Sequence, residues 1–185
     1  MVGFPAGLGA MVQDRRAPLD VFVGRAAELD RVAQVVAAAQ AGQPWLVTIE
    51  GEPGVGKTAL ARRILARAGA GTADLKVLTA RADTAEADLD FGLVEQLLRA
   101  AGTAFPVAGP AGGPTVSSFT VGAQLLDVVG GQLTAGLTAI FLDDLQWADR
   151  KSVEALTFML RRLSVDPVLA VVTFRGPRDR LNGAA

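Results

Sequence analysis

The chain contains no cysteine and no histidine. The first absence excludes disulfides, zinc–thiolate centres and thiol nucleophiles. The second excludes histidine-based catalytic triads and imidazole metal sites. A basic excess is missing too. Lys and Arg number 18 against 19 Asp and Glu, for a net charge of -1, which leaves no surplus of cations to grip nucleic acid by its phosphates. No stretch reaches the ~18 uninterrupted apolar residues of a membrane span. The opening MVGFPAGLGAMVQD lacks the basic start and clean apolar run of a signal peptide. These absences lead to the expectation of a soluble, cytoplasmic protein whose partners are neither membranes nor, through this segment, nucleic acid.

What is present suits one α/β domain: 185 residues, half of them hydrophobic. The stretch LVTIEGEPGVGKT, Leu46 to Thr58, organises the rest. Leu46–Ile49 form a short apolar, β-branched run that predicts a buried strand. Gly51, Gly54 and Gly56 then make a loop, and Lys57-Thr58 open a helix. This is the phosphate-loop pattern G-x-x-x-x-G-K-[ST] in its strand–loop–helix setting. The glycines let the backbone turn its N–H groups inward around an anion, and the helix start adds partial positive charge there. Gly51, Glu52, Pro53, Gly54, Val55, Gly56, Lys57, Thr58 and Ala59 are therefore the candidate nucleotide cradle. Lys57 reaches for the outer phosphates, and the Thr58 hydroxyl is a candidate Mg²⁺ ligand. The competing reading is a glycine-rich turn that happens to precede a lysine.

Around that loop the pattern alternates. Residues 1–18 are rich in Gly, Pro and Ala and read as a flexible leader. LDVFV (Leu19–Val23) is a short extended candidate, and Arg25 to Ala41 carries apolar residues at helical spacing. A helix is expected from Lys57 to about Ala68, a strand over Leu75–Ala82, and an exposed acidic linker TAEADLD. A further helix is expected over Phe91–Ala101, with Phe91, Val94, Leu97, Leu98 and Ala101 on one stripe. Gly102–Pro114 reads as a long irregular loop. Ser117 or Ser118 is expected to cap a helix to about Leu133, one that Gly122, Gly130 and Gly131 weaken. AIFLDD (Ala139–Asp144) and VLAVVTF (Val168–Phe174) are strands. Between them Asp149 caps a helix whose apolar face is Val153, Leu156, Leu160 and Leu163. Trp147 is assigned to packing at the strand end. Apolar strands alternating with helices predict a parallel sheet covered on both faces.

In such a sheet ligands bind beyond the carboxyl ends of the strands. The phosphate loop, Asp143-Asp144 and Arg175 all follow strand ends. Asp143 is read as a Walker B aspartate holding Mg²⁺, and Asp144 as the carboxylate that orients or deprotonates a water at the γ-phosphate. The alternative for the pair is a polar strand end or helix cap.

FVGR at Phe22–Arg25, GEPGVGKT at Gly51–Thr58, DDLQWAD at Asp143–Asp149 and TFR ending at Arg175 occur in that order. Together they resemble the STAND branch of AAA-like P-loop ATPases. Within it the chain is similar to the ATPase domain of large ATP-binding LuxR-type (MalT-like) transcriptional regulators, a domain type grouped with Orc1-like AAA modules. DFGLVEQLL, Asp90–Leu98, also resembles a segment of those regulators. The likeness spans Val21 to Arg175. It implies a three-layer P-loop NTPase core over residues 19–177, followed by a tail, 178–185. It implies ATP as ligand, Val23, Gly24 and Arg25 near the adenine and ribose, and Arg175 as a sensor of the γ-phosphate. The family has Glu after its GR pair, where this chain has Ala26. It also has a core sheet ordered 5-1-4-3-2, and neither the fifth strand nor a lid is found here, so the fold is expected to be incomplete. The strand beside the phosphate loop would then have an open edge, to be covered by LDVFV, a second copy or a partner domain.

Three functional classes follow. The first is a nucleotide switch, slowly hydrolysing ATP to ADP and phosphate, with Asp144, Lys57 and Arg175 as its chemistry. Slowness is expected because Asp144 is one methylene shorter than the Glu of many fast ATPases, and no arginine finger is evident. The second is a ring-forming turnover ATPase borrowing an arginine, for which Arg178 and Arg180 are nearby. A small-molecule phosphotransferase would need a lid, for which only Gly102–Pro114 is at hand. The third is a non-catalytic interaction module.

Overall fold

The computed structural model describes residues 27–70, 72, 74–104, 116–132 and 136–175. Two strands are buried at every position: β3 (Leu137–Asp143, LTAIFLD) and β4 (Val168–Phe174, VLAVVTF). A strand with no exposed face must sit in the interior of a sheet with cover on both sides, and that is where both lie. With β1 (Trp45–Glu50) and β2 (Leu75–Arg81) they form a parallel sheet ordered β1-β4-β3-β2. This is the expected family order for strands one to four. Among the described residues β1 pairs only with β4, and β2 only with β3. LDVFV, offered as cover for the β1 edge, lies outside the described residues, as do 105–115 of the irregular loop and the tail.

Five α-helices among the described residues make the outer layers. α1 (Ala27–Gln40) and α2 (Lys57–Ala70) cover one face, where Val32, Val36, Ala61 and Ile64 meet Val47, Ile49, Phe141 and Val171. α3 (Gly92–Ala100), α4 (Ser118–Gln132) and α5 (Arg150–Leu160) cover the other, where Leu97, Leu98, Leu125, Leu156 and Met159 meet Leu78, Ile140, Leu142 and Val172. Alternate residues of β4 therefore go to opposite cores, as the two-residue period of a strand requires. Fully burying one such side chain stabilises the fold by about 1.5–3 kcal/mol. Arg62, Arg63 and Arg67 of α2 face outward, as the helical spacing predicts. No helix among the described residues is long and apolar enough to cross a membrane.

Several local expectations change. Phe91 is not helical: it holds a left-handed conformation (φ 65°) just before α3, and its ring is buried. The α5 face is rotated from the expected one. Ala155 and Met159 are buried with Leu156 and Leu160, while Val153 and Leu163 only pack against the rim. Ser117 caps α4 by accepting the Thr120 N–H at 3.1 Å. Gly122, read as a weak point of that helix, is where α4 and α5 touch. A Cβ there would stand 2.8 Å from the Ala155 carbonyl oxygen and 2.9 Å from the Phe158 side chain.

Candidate ATP-binding site

The sheet order decides what meets at its carboxyl end. β1 delivers the phosphate loop, and its inner neighbour is β4 rather than β2. β3 lies next to β4, with Leu142 opposite Val172. Asp143, Thr173 and the phosphate loop are thereby side by side, although they come from distant parts of the chain.

The loop from Glu52 to Gly56 is exposed, whereas Lys57 is buried. Gly54 and Gly56 take positive φ values of 82° and 90°, and no atom beyond the adjoining residues lies within 4 Å of the position a Cβ would take in either. The loop thus needs glycine for its shape, and it leaves the space over these two positions open. Ala59 follows on the exposed side of α2. Lys57 Nζ donates to the carbonyls of Gly51 (2.7 Å) and Glu52 (3.0 Å), so the ammonium is folded against its own loop. The Thr58 hydroxyl lies 3.1 and 3.2 Å from the two carboxylate oxygens of Asp143.

Asp143 is buried and also accepts from the Thr173 hydroxyl at 2.6 Å. That same hydroxyl accepts the Asp144 backbone N–H at 2.9 Å. Thr173 thus ties two consecutive residues of the DDLQWAD segment to β4. Its role was missed in the sequence, although Thr173 is the first residue of TFR and the one polar residue inside VLAVVTF.

Asp144 is not the last residue of β3, as expected, but the first residue beyond it. It is left-handed (φ 56°) and precedes a 3₁₀ turn over Leu145–Trp147. The turn sends its carboxylate between two arginines. Arg81, at the end of β2, places a guanidinium nitrogen 3.4 Å from Oδ2, and Arg175 places Nε 3.3 Å from Oδ1. Gln146 donates to Oδ1 at 3.1 Å and accepts the Arg175 backbone N–H at 2.9 Å. Burial pushes the Asp144 carboxyl up. The hydrogen bond from Gln146 and the charge and hydrogen bond of Arg175 outweigh it, helped by the charge of Arg81. The carboxyl is held below its ordinary range. Arg175, expected as a γ-phosphate sensor, is thus paired here with the site's own Asp144. Arg81 lies in no motif that could have marked it, and Gln146, inside DDLQWAD, was given no role there.

Asp149 does more than cap α5. Its Oδ1 accepts the Ser152 N–H at 2.8 Å and the Phe91 N–H at 2.9 Å, and Ser152 Oγ accepts the Val94 N–H at 3.2 Å. One carboxylate thereby starts two helices. Trp147, assigned to packing at the strand end, is 39% exposed. Val23, Gly24 and Arg25 lie outside the described residues.

The donor set fits Mg-ATP. Magnesium keeps several waters and takes few protein oxygens besides those of a phosphate. Thr58 Oγ and the Asp143 carboxylate make such a pair, and no larger cluster of metal-binding residues occurs among the described residues. Residues 21–172 match the AAA ATPase domain family. The chain belongs to that family. No curated protein matches its sequence. Among solved structures this AAA ATPase domain is similar to a chain of Drosophila ORC bound to DNA, at 20% identity and a TM-score of 0.55. The match covers 86% of this chain and 39% of that one. A RuvB variant from Thermotoga maritima matches at 15% identity and a TM-score of 0.40, over 88% of this chain and 42% of that one. The ORC likeness, at that identity, speaks to the fold. The chain spans about two fifths of the length of either matched chain.

Proposed function

We propose that this domain is a nucleotide-operated switch of the STAND type found in LuxR/MalT-like transcriptional regulators, binding Mg-ATP and hydrolysing it slowly as a reset. The observation that carries the reading is the pairing of the Thr58 hydroxyl with the Asp143 carboxylate, beside a phosphate loop with open space over its glycines. Lys57 would leave its two carbonyl partners for the phosphate oxygens of ATP, exchanging neutral acceptors for charged ones. Bound Mg²⁺, held by Thr58 and Asp143, would neutralise the charge that develops on those oxygens. Asp144 would take a proton from the attacking water. That water's oxygen would bond to the γ-phosphorus as the bond to the bridging oxygen breaks, giving ADP and phosphate.

The two arginines on Asp144 support slow turnover, because a carboxylate already held by two cations is a poor proton acceptor. Arg175, the more buried partner, would feel the γ-phosphate as a competing anion. Membership of the AAA family equally supports the second reading, a turnover ATPase assembled as an oligomer. As in the sequence, no surplus of cations argues for nucleic-acid binding by this segment.

ATP affinity should fall about tenfold or more in Lys57→Ala, the scale of a lost charged hydrogen bond. Asp144→Asn should bind ATP as wild type does and stop turnover. Equal ATP affinity in wild type and Lys57→Ala would remove the reading. Turnover per subunit that climbs with protein concentration would move it to the oligomeric ATPase.

A further inference from the structure

β2 is an edge strand of the described sheet, and both backbone groups of its last residue are taken by a side chain. Gln96, on α3, accepts the Arg81 N–H with Oε1 at 2.9 Å and donates Nε2 to the Arg81 carbonyl at 3.0 Å. Its primary amide stands where the peptide group of a further strand would stand. The second Nε2 hydrogen goes to Glu86 Oε2 at 3.2 Å. The Arg81 N–H needs an acceptor, while the carbonyl and the carboxylate both need a donor. The three partners therefore fix which way the amide points.

The residue so gripped is the one that reaches Asp144 from β2. The Arg81 side chain is 67% exposed, and its contact with Asp144 is 3.4 Å long. A long, mostly exposed ion pair is weak by itself and loses side-chain freedom to form. Its occupancy depends on where the backbone starts the side chain. α3 is anchored in turn at its own start, through Phe91 and Val94, to Asp149 and Ser152. The contacts thus form a closed circuit from Asp144 through Arg81, Gln96 and α3 to Asp149, five residues beyond Asp144 in the same segment.

We propose that Gln96 is a positioning residue. Its amide fixes the end of β2 so that the Arg81 guanidinium meets Asp144, and so sets how firmly that carboxylate is kept from an attacking water. The second half of this statement rests on the reading of Asp144 as the water-activating group; the first half does not. Gln96 touches neither Asp144 nor the phosphate loop, so its influence passes through Arg81.

The test is a double-mutant cycle of Gln96→Leu and Asp144→Asn, read as urea unfolding of the nucleotide-free protein. A merely local role for Gln96 makes the two effects multiply. Coupling through Arg81 makes the folded-to-unfolded ratio depart from multiplication by about threefold or more, and the departure vanishes when the cycle is repeated on Arg81→Ala. Gln96→Asn, whose amide falls one methylene short, replaces Gln96→Leu if the latter does not fold. With ATP, Gln96→Leu should raise kcat by about threefold or more at unchanged KM, as releasing one of two restraining cations implies, and add nothing on Arg81→Ala. A multiplicative cycle overturns the proposal, as does a kcat effect that persists without Arg81. A coupled cycle in a protein that does not hydrolyse ATP leaves Gln96 in its role and removes the proposed function instead.

Discussion

Thr173 is a single hydroxyl with two duties, donating to Asp143 and accepting from the Asp144 backbone. It is fully buried, so no water can replace either bond. Thr173→Val keeps the volume, strands the Asp144 N–H and leaves the Asp143 carboxylate with Thr58 alone. Leaving a buried donor unpaired costs about 1–3 kcal/mol, so urea unfolding should show a loss of that order. Mg²⁺-dependent ATP binding should weaken with it, because Asp143 loses the bond that aims it at Thr58. Thr173→Ser should retain most of both; a valine variant as stable as wild type would show that the hydroxyl holds nothing. The residues legible beforehand were those inside contiguous signals. Gly51 to Thr58 announce a loop, and Asp143 announces itself by ending an apolar run. Arg81 lies in no motif, and Gln96, Gln146 and Thr173, though inside DFGLVEQLL, DDLQWAD and TFR, owe their roles to partners distant in the sequence. The end of β2 comes near Asp144 only because β3 lies between β2 and β4, and no local pattern encodes that neighbour.

At the scale of elements, α4 and α5 are pressed together over Gly122, and the glycine costs helix propensity to permit it. Gly122→Ala would normally help a helix by up to about 1 kcal/mol. Here the added methyl meets the Ala155 carbonyl and the Phe158 side chain, and overpacking of this kind costs about 1–3 kcal/mol. The expected result is therefore a lower melting temperature for Gly122→Ala and a neutral or raised one for Gly130→Ala, whose surroundings are open. A stabilised Gly122→Ala would mean that the helices can separate at little cost. The contrast explains what was readable in the chain. β4 was delimited correctly from its apolar run, because burial on both faces leaves an uninterrupted signal. The start of α3 was misplaced because the left-handed turn at Phe91 is held by Asp149, far along the sequence. Gly122 was misjudged because propensity describes an isolated helix and not one with a neighbour against its backbone.

For the whole molecule, a ligand that binds only the folded state raises its stability by mass action. At a concentration of 100 times Kd the gain is about 2.7 kcal/mol, which for a domain of this size is a rise in melting temperature of about 5–10 °C. Mg-ATP should produce such a rise, EDTA should remove most of it, and Lys57→Ala should show about half of it or less. Identical melting curves with and without Mg-ATP would leave the domain as an interaction module.

The pairing of β1 with β4 has a consequence during synthesis. Trp45 must line up with Leu169, so the strand bearing the phosphate loop leaves the ribosome long before its only neighbour among the described strands exists. At about 5–20 residues per second, that interval lasts seconds. Throughout it the apolar stretch around Val47 and Ile49 is a nascent segment without its mate, and a natural client for a chaperone.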